Sequence, residues 1–194
     1  MKNIIASIFI AITAAVALAS PPGTPTFKKV DAPDITNFTR VDGAPVFAGP
    51  LAGLGGATAP SAMGWLRDEG FVTVINLRVA TEAGAEIDGS RAAAEAAGLH
   101  YLHLPFDPGR PDPDLVNRFL ATVGEEANQP VYIHCSSATR AAALWMIGRV
   151  AADGLGLDAA SKEVEAIAPR PTDAIAVATK YLASGKDQAA SQHR

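Results

Sequence analysis

Pro130-Val131-Tyr132-Ile133-His134-Cys135-Ser136-Ser137-Ala138-Thr139-Arg140 is the stretch on which the reading of the fold turns, together with the Ala141-Ala142-Ala143-Leu144-Trp145-Met146-Ile147 that follows it. Proline punctuates, and a run of β-prone apolar residues then predicts a buried strand. Small polar residues make a tight loop, and the alanine-rich run after Arg140 predicts a helix. The lone cysteine of the chain thus falls between a strand end and a helix N-terminus. Unpaired backbone N–H groups and the positive end of the helix dipole converge there, which favours a thiolate and cradles an anion. Arg140 adds a planar fork suited to two oxygens of one phosphate.

Strands and helices alternate on the N-terminal side of this stretch. Residues 71–77 form a near-continuous β-branched run, expected of a strand buried on both faces. Residues 90–97 predict a helix, 99–104 a strand, 107–114 a rigid acidic loop and 114–127 an amphipathic helix. This order predicts an α/β domain, a central and mostly parallel sheet flanked by helices in three layers. In such sheets ligands sit beyond the carboxyl ends of the strands, so Arg78, Asp107 and Cys135 are expected along one edge. Further out, 35–41 and 46–48 read as short strands around a turn at 42–45. The glycine-rich 49–56 reads as a flexible turn, and 60–70 as a helix closed by Gly70. Beyond the central helix, Asp158 is expected to cap a helix reaching Ala168, and Thr172 another reaching Ala183. His100 and His103 fall on opposite faces of a strand and do not make a metal pair. No metal or cofactor is expected.

The chain has 194 residues, 48% of them hydrophobic, which suits one domain with a full core. A formal net charge of -4 and the lack of a basic run argue against nucleic acid as a partner. The first residues have the form of a secretory signal: Lys2, an apolar run over 4–18, and Ala17-Leu18-Ala19 as a cleavage site. The expected organisation is a signal peptide over 1–19, an extended leader over 20–34, one folded domain over 35–184 and a polar tail over 185–194. The mature protein is then expected in a periplasm or outside the cell, with no membrane attachment after cleavage. A single cysteine in that compartment has no internal partner, so it reads as reactive or as a buried, inert thiol.

His-Cys-x4-Arg between a strand and a helix resembles the signature loop of cysteine-dependent protein phosphatases of the tyrosine and dual-specificity kind. The blocks Val74-Ile75-Asn76-Leu77-Arg78, Leu102-His103-Leu104-Pro105-Phe106-Asp107 and Pro130 to Cys135 follow the order of that superfamily's compact bacterial members, over residues 35–182. Most such phosphatases have one residue more between Cys and Arg. The shorter loop resembles rhodanese-like sulfurtransferases, and also a bacterial phosphatase-like family with the same flanking blocks. The resemblance implies a phosphatase-like three-layer sandwich that hydrolyses phosphate monoesters through a phosphocysteine on Cys135. The substrate is then a phosphorylated small molecule or a phosphoprotein. Ser136, Ser137, Ala138, Thr139 and Arg140 would hold the phosphate oxygens. Asp107, upstream of the cysteine, would be the general acid, with Asp112 as second candidate; both also suit turns and helix caps.

Other roles stay open. Arg78 binds the substrate anion or pairs with Glu82. His134 hydrogen-bonds around the base of the loop or is a satisfied core residue. Ala141 stands where the resembled phosphatases often carry a hydroxyl, which leaves Ser136 or Thr139 to supply it. Two other readings compete: a sulfurtransferase with a persulfide on Cys135, and a catalytically feeble module that captures phosphorylated ligands.

Overall fold

The computed structural model describes residues 24–43 and 47–192, with side chains through residue 185. The segment read as a signal peptide, 1–19, lies outside the described residues. Six strands form one sheet: β1 (Thr26–Lys29), β2 (Thr39–Asp42), β3 (Leu51–Gly55), β4 (Thr73–Asn76), β5 (His100–His103) and β6 (Val131–His134). Their order is β1-β2-β3-β6-β4-β5. The pairs β3/β6, β6/β4 and β4/β5 are parallel, whereas β1/β2 and β2/β3 are antiparallel. The sheet is therefore mostly parallel, as its alternating sequence implies.

Helices cover both faces. Helices α1 (Met63–Asp68) and α2 (Ile87–Ala96) lie on one, where Met63, Leu66 and Ala94 pack with Val74, Tyr101 and Tyr132. Helices α3 (Pro113–Gly124), α4 (Thr139–Ala151), α5 (Leu157–Ile167) and α6 (Pro171–Gln192) cover the other. Their side chains pack with Leu54, Ile75 and Ile133. Neighbouring residues of one strand serve opposite cores, as the period of two requires. Helix α4 is buried on every side from Ala141 to Arg149. Its alanines let α5 and α6 approach closely, and the only charge among those residues is paired. Arg149 donates to both carboxylate oxygens of Glu163 at 2.9 Å and also to Asp153. Glu163 accepts a further bond of 2.8 Å from Trp145 Nε1.

Four expectations are corrected. First, residues 49–56 are not a turn, because Leu51–Gly55 is the sheet strand β3. Its glycines answer to aromatic neighbours. A β-carbon on Gly53 would stand 2.7 Å from Phe71 Cζ, and one on Gly55 would collide with the Tyr132 hydroxyl. Second, 20–34 is not wholly a leader: Thr26–Lys29 pairs with β2 along the sheet edge. Third, β2 pairs with β1 and β3; of the expected partner strand 46–48 only Phe47 and Ala48 are described, and they lie in a turn, while 44–46 fall outside the described residues. Fourth, α6 continues through residue 185 to Gln192, so the polar tail is mostly helical. Helix α5 is preceded by Gly156 at its cap position, with Asp158 inside the first turn, and α6 begins at Pro171, before Thr172.

The carboxyl ends of β5, β4 and β6 stand level, with Asn76 opposite both His103 and His134. Everything that follows those strands emerges along one edge.

Candidate active site

Strand β6 is fully buried and runs between β3 and β4. The chain leaving it is pinned on both sides. Cys135 N donates to Gly55 O at 3.2 Å, Ala57 N to Ser136 O at 3.0 Å, and Leu77 N to His134 O at 2.9 Å. The turn into α4 is made by Ala138, which takes a left-handed conformation (φ 69°) at the N-cap position. That reversal leaves the amides of Ser136, Ser137, Thr139 and Arg140 without a hydrogen-bond acceptor among the described residues. Successive unpaired N–H groups at a left-handed turn form an anion-binding concavity. Left-handed alanine is strained by about 1–2 kcal/mol. Part of that relief is offset by the greater freedom of glycine in the unfolded chain. Ala138→Gly is therefore expected to stabilise the protein by about 0.5–1 kcal/mol. Thermal melting should show this as a rise of about 1–4 °C. An unchanged or lower Tm would count against the strain.

The loop floors a cavity of about 400 Å³ lined by Ser136, Ser137, Thr139 and Arg140. Pro108 and Glu82 close it on one side, and Ala143, Arg170, Asp173 and Val177 on the other. Cys135, which immediately precedes the loop, does not itself line the cavity and is wholly buried with the core. Arg140 is close enough to feel it. Burial alone would lower the guanidinium pKa, but the Glu82 carboxylate and the Cys135 sulfur together raise it.

The Arg140 side chain is held by the chain that follows β4. Its Nη1 and Nη2 donate to the two oxygens of Glu82 at 2.6 and 2.7 Å, a fork-to-fork pair. Nη1 also donates to Leu77 O and Nη2 to Ser136 Oγ, both at 3.2 Å. Glu82 additionally accepts from Val79 N at 2.7 Å. The Arg140 hydrogen bonds hold the Glu82 carboxyl at a pKa of about 2.

Arg78 does not line the cavity over the loop; it borders a separate one with Asp34, Thr36 and Thr58. It is 6% exposed, and its Nη atoms donate to Gly84 O at 2.5 Å and Ala83 O at 2.6 Å. Its Nε stands 3.5 Å from Glu82 Oε2. Arg78 thus folds residues 79–86 back on themselves and so steadies Glu82. Of its two open roles, the structure favours pairing with Glu82.

Asp107 follows β5 on the expected edge, but its carboxylate turns back to accept from Gly109 N at 2.8 Å. It lines a neighbouring cavity with Phe106, Arg110 and Asp112, and only the adjacent Pro108 reaches the cavity over the loop. Asp112 caps α3, accepting from Asp114 N at 3.0 Å. His134 has no hydrogen-bond partner for either ring nitrogen among the described residues. Burial drives its pKa to about 3, and the neutral ring stacks on Tyr132 at 5.6 Å. The backbone of Cys135 and Gly56 stands near the ring and opposes that lowering without outweighing burial. Of the hydroxyls considered in place of Ala141, Thr139 is engaged with Ser137 at 3.1 Å and Ser136 with Arg140.

Cys135, Ser136, Ser137, Ala138, Thr139 and Arg140 are consecutive, so the structure keeps them together as the sequence does. Sequence reasoning gave Glu82 only as a partner of Arg78 and overlooked Arg170, Asp173 and Val177. No local motif announces the last three; only the packing of α6 beside α4 brings them to the cavity. Among the described residues, no group of three or more His, Cys, Asp or Glu side chains is placed to hold a metal ion.

A cysteine-bearing loop with unpaired amides and a clamped arginine, at the carboxyl edge of this sheet, defines the class: a cysteine-dependent phosphatase, a hydrolase of phosphoric monoesters. The chain belongs to the family described as beta-lactamase hydrolase-like protein, phosphatase-like domain, whose model matches residues 50–152. The matched segment runs from the turn before β3 through the end of α4 and so includes the whole signature loop. No curated protein matches the sequence. Among solved structures, TpbA of P. aeruginosa, as a cysteine-to-serine variant in complex with pTyr, shares the fold at TM-score 0.56 and 20% identity, over 77% of this chain and 86% of its own. The core catalytic domain of the PP-IP phosphatase SIW14 from S. cerevisiae, with citrate, gives 0.57 and 17%, over 81% and 96%. A DUF442 protein from Shewanella putrefaciens gives 0.55 and 21%, over 75% and 91%.

Proposed function

We propose that this protein is a secreted or periplasmic hydrolase of phosphate monoesters, of the protein tyrosine and dual-specificity type, working through a phosphocysteine. The observation that carries the reading is the cavity lined by Ser136, Ser137, Thr139 and Arg140, where four loop amides lack an acceptor among the described residues and the Arg140 guanidinium feels the sulfur of the adjoining Cys135. The substrate is a phosphorylated small molecule or phosphoprotein, in keeping with the pTyr bound by TpbA. The Cys135 thiolate attacks phosphorus, a sulfur–phosphorus bond forms, and the bond to the leaving oxygen breaks. Asp107 protonates that oxygen, then as carboxylate takes a proton from water. The water oxygen displaces sulfur, releasing inorganic phosphate and restoring the thiolate. The loop amides and Arg140 carry the charge on the equatorial oxygens throughout. The Ser136 hydroxyl makes one of the two longest of the four contacts to the Arg140 Nη atoms, so a phosphate oxygen displaces it more readily than Glu82.

Asp107 reaches the leaving group by a swing of the loop that already sets Pro108 on the cavity wall. Asp107→Asn is expected to lower turnover of p-nitrophenyl phosphate by about 100-fold, with loss of the limb of the pH profile that reports the acid. A rate equal to that of the unaltered enzyme would remove Asp107 from the mechanism.

The experiment that tests the function offers purified mature protein p-nitrophenyl phosphate and, separately, thiosulfate with cyanide. Release of phosphate, with phosphate trapped on Cys135 after rapid acid quench, supports the proposal. Thiocyanate formation would establish the sulfurtransferase reading suggested by the short loop. Phosphate binding without turnover of either would favour a capture module, a reading that draws on Ala141 and on the outward Asp107 carboxylate.

A further inference from the structure

The cavity above the signature loop carries charge in a pattern that the hydrolysis of a phosphate monoester does not require. Four charged side chains line it, the carboxylates of Glu82 and Asp173 and the guanidinium groups of Arg140 and Arg170, so their formal charges cancel. Glu82 already occupies both Nη atoms of Arg140. The amides of the loop and the remaining edge of Arg140 suffice for one phosphate. A second anionic group on the same substrate would have to find its cation at the rim, where only Arg170 stands. That guanidinium is accompanied by Asp173 at 3.7 Å. Asp173 also lies in the first turn of the 22-residue helix α6, where a carboxylate offsets the positive end of the dipole that would otherwise attract an anion. The other walls, Pro108, Ala143 and Val177, offer carbon.

We infer that Asp173 is a specificity-determining residue: it restricts the site to substrates that bear a single phosphate on an uncharged, carbon-rich group, and disfavours diphosphates and multiply phosphorylated molecules. The inference rests on the phosphatase reading for the identity of the bound phosphate. It acts through charge at the cavity mouth and not on the reacting atoms, so it belongs in KM and in binding more than in kcat. Both rim side chains are more than half exposed, so salt should screen the effect.

The test compares p-nitrophenyl phosphate with inositol hexakisphosphate as substrates for the unaltered protein and for Asp173→Asn and Asp173→Lys. At low ionic strength, Asp173→Lys is expected to raise the kcat/KM ratio of the polyphosphate over the aryl phosphate by about tenfold, through KM, with Asp173→Asn between. Molar salt should erase most of the gain. Asp68→Lys, on the opposite face of the sheet, adds the same charge to the molecule and should leave the ratio where it was. A second arm measures binding of inorganic phosphate and pyrophosphate to Cys135→Ser protein by calorimetry, with and without Asp173→Lys. The pyrophosphate preference should rise by a similar factor. Ratios unmoved by Asp173→Lys, or moved equally by Asp68→Lys, would overturn the inference. So would an unaltered protein that prefers the polyphosphate. Absence of turnover with every substrate would instead strike at the phosphatase reading, and the binding arm would still decide the role of Asp173.

Discussion

Cys135→Ser is expected to bring phosphate release from p-nitrophenyl phosphate to background, a fall of about a thousandfold or more. The reason is chemical and local. A serine hydroxyl at the same position stays protonated near neutral pH, and no residue around it serves as its base. His134, the nearest imidazole in sequence, is neutral, buried and stacked on Tyr132 on the face belonging to the other core. The substitution removes one nucleophile and leaves the amides and Arg140 in place. Calorimetry should therefore show inorganic phosphate binding within about tenfold of the unaltered protein, because one good hydrogen bond separates such values at most. Loss of turnover with binding kept is the signature of a nucleophile. Turnover that survives the substitution would transfer the chemistry elsewhere.

Arg140→Lys carries the second largest effect. Lysine keeps the charge but gives up the planar fork, and with it the simultaneous grip on Glu82 and on the substrate. Loss of an oriented donor to the developing charge costs about 10²–10³ in kcat, and Arg140→Lys should fall in that range. Glu82 adds a check by pH. Its folded-state pKa of about 2 lies below the ordinary carboxyl value of 4.5. A depressed pKa means that the ionised form stabilises the fold. That contribution is complete above pH 4.5 and disappears as pH falls towards 2. Thermal melts of the unaltered protein and Glu82→Gln should therefore differ at neutral pH and converge at the acid end of that window. Curves that stay parallel to low pH would mean that the carboxylate does not hold the arginine.

The parts of the site that were legible before the structure are those that are local. Val131 to Arg140 is one continuous instruction: apolar strand, small-residue turn, helix start. The alternation of strands and helices before it placed the carboxyl edge. What was not legible depends on contacts between distant segments. Leu51–Gly55 looks like a turn because four glycines fall within 49–56, yet glycine is needed there by Phe71 and Tyr132, which the bare sequence does not place against it. Glu82 reads as the neighbour of Arg78, four residues away, whereas its shorter partner is Arg140, 58 positions on. Asp107 was placed on the right edge, but the local pull of Gly109 N on its carboxylate wins in the structure. The wall from α6 follows from helix packing alone.

The burial of α4 on every side from Ala141 to Arg149 has a bearing on how relatives of this protein diversify. A helix gripped on all sides by its own domain transmits any shift to every neighbour at once, so the floor it presents is a poor place for variation to accumulate. Change is tolerated more readily in what overhangs that floor: the residues after β4, the proline-rich segment before α3, and the opening turn of α6. Relatives should then share the loop from Cys135 to Arg140 and the helix behind it, while their overhangs diverge in length and charge.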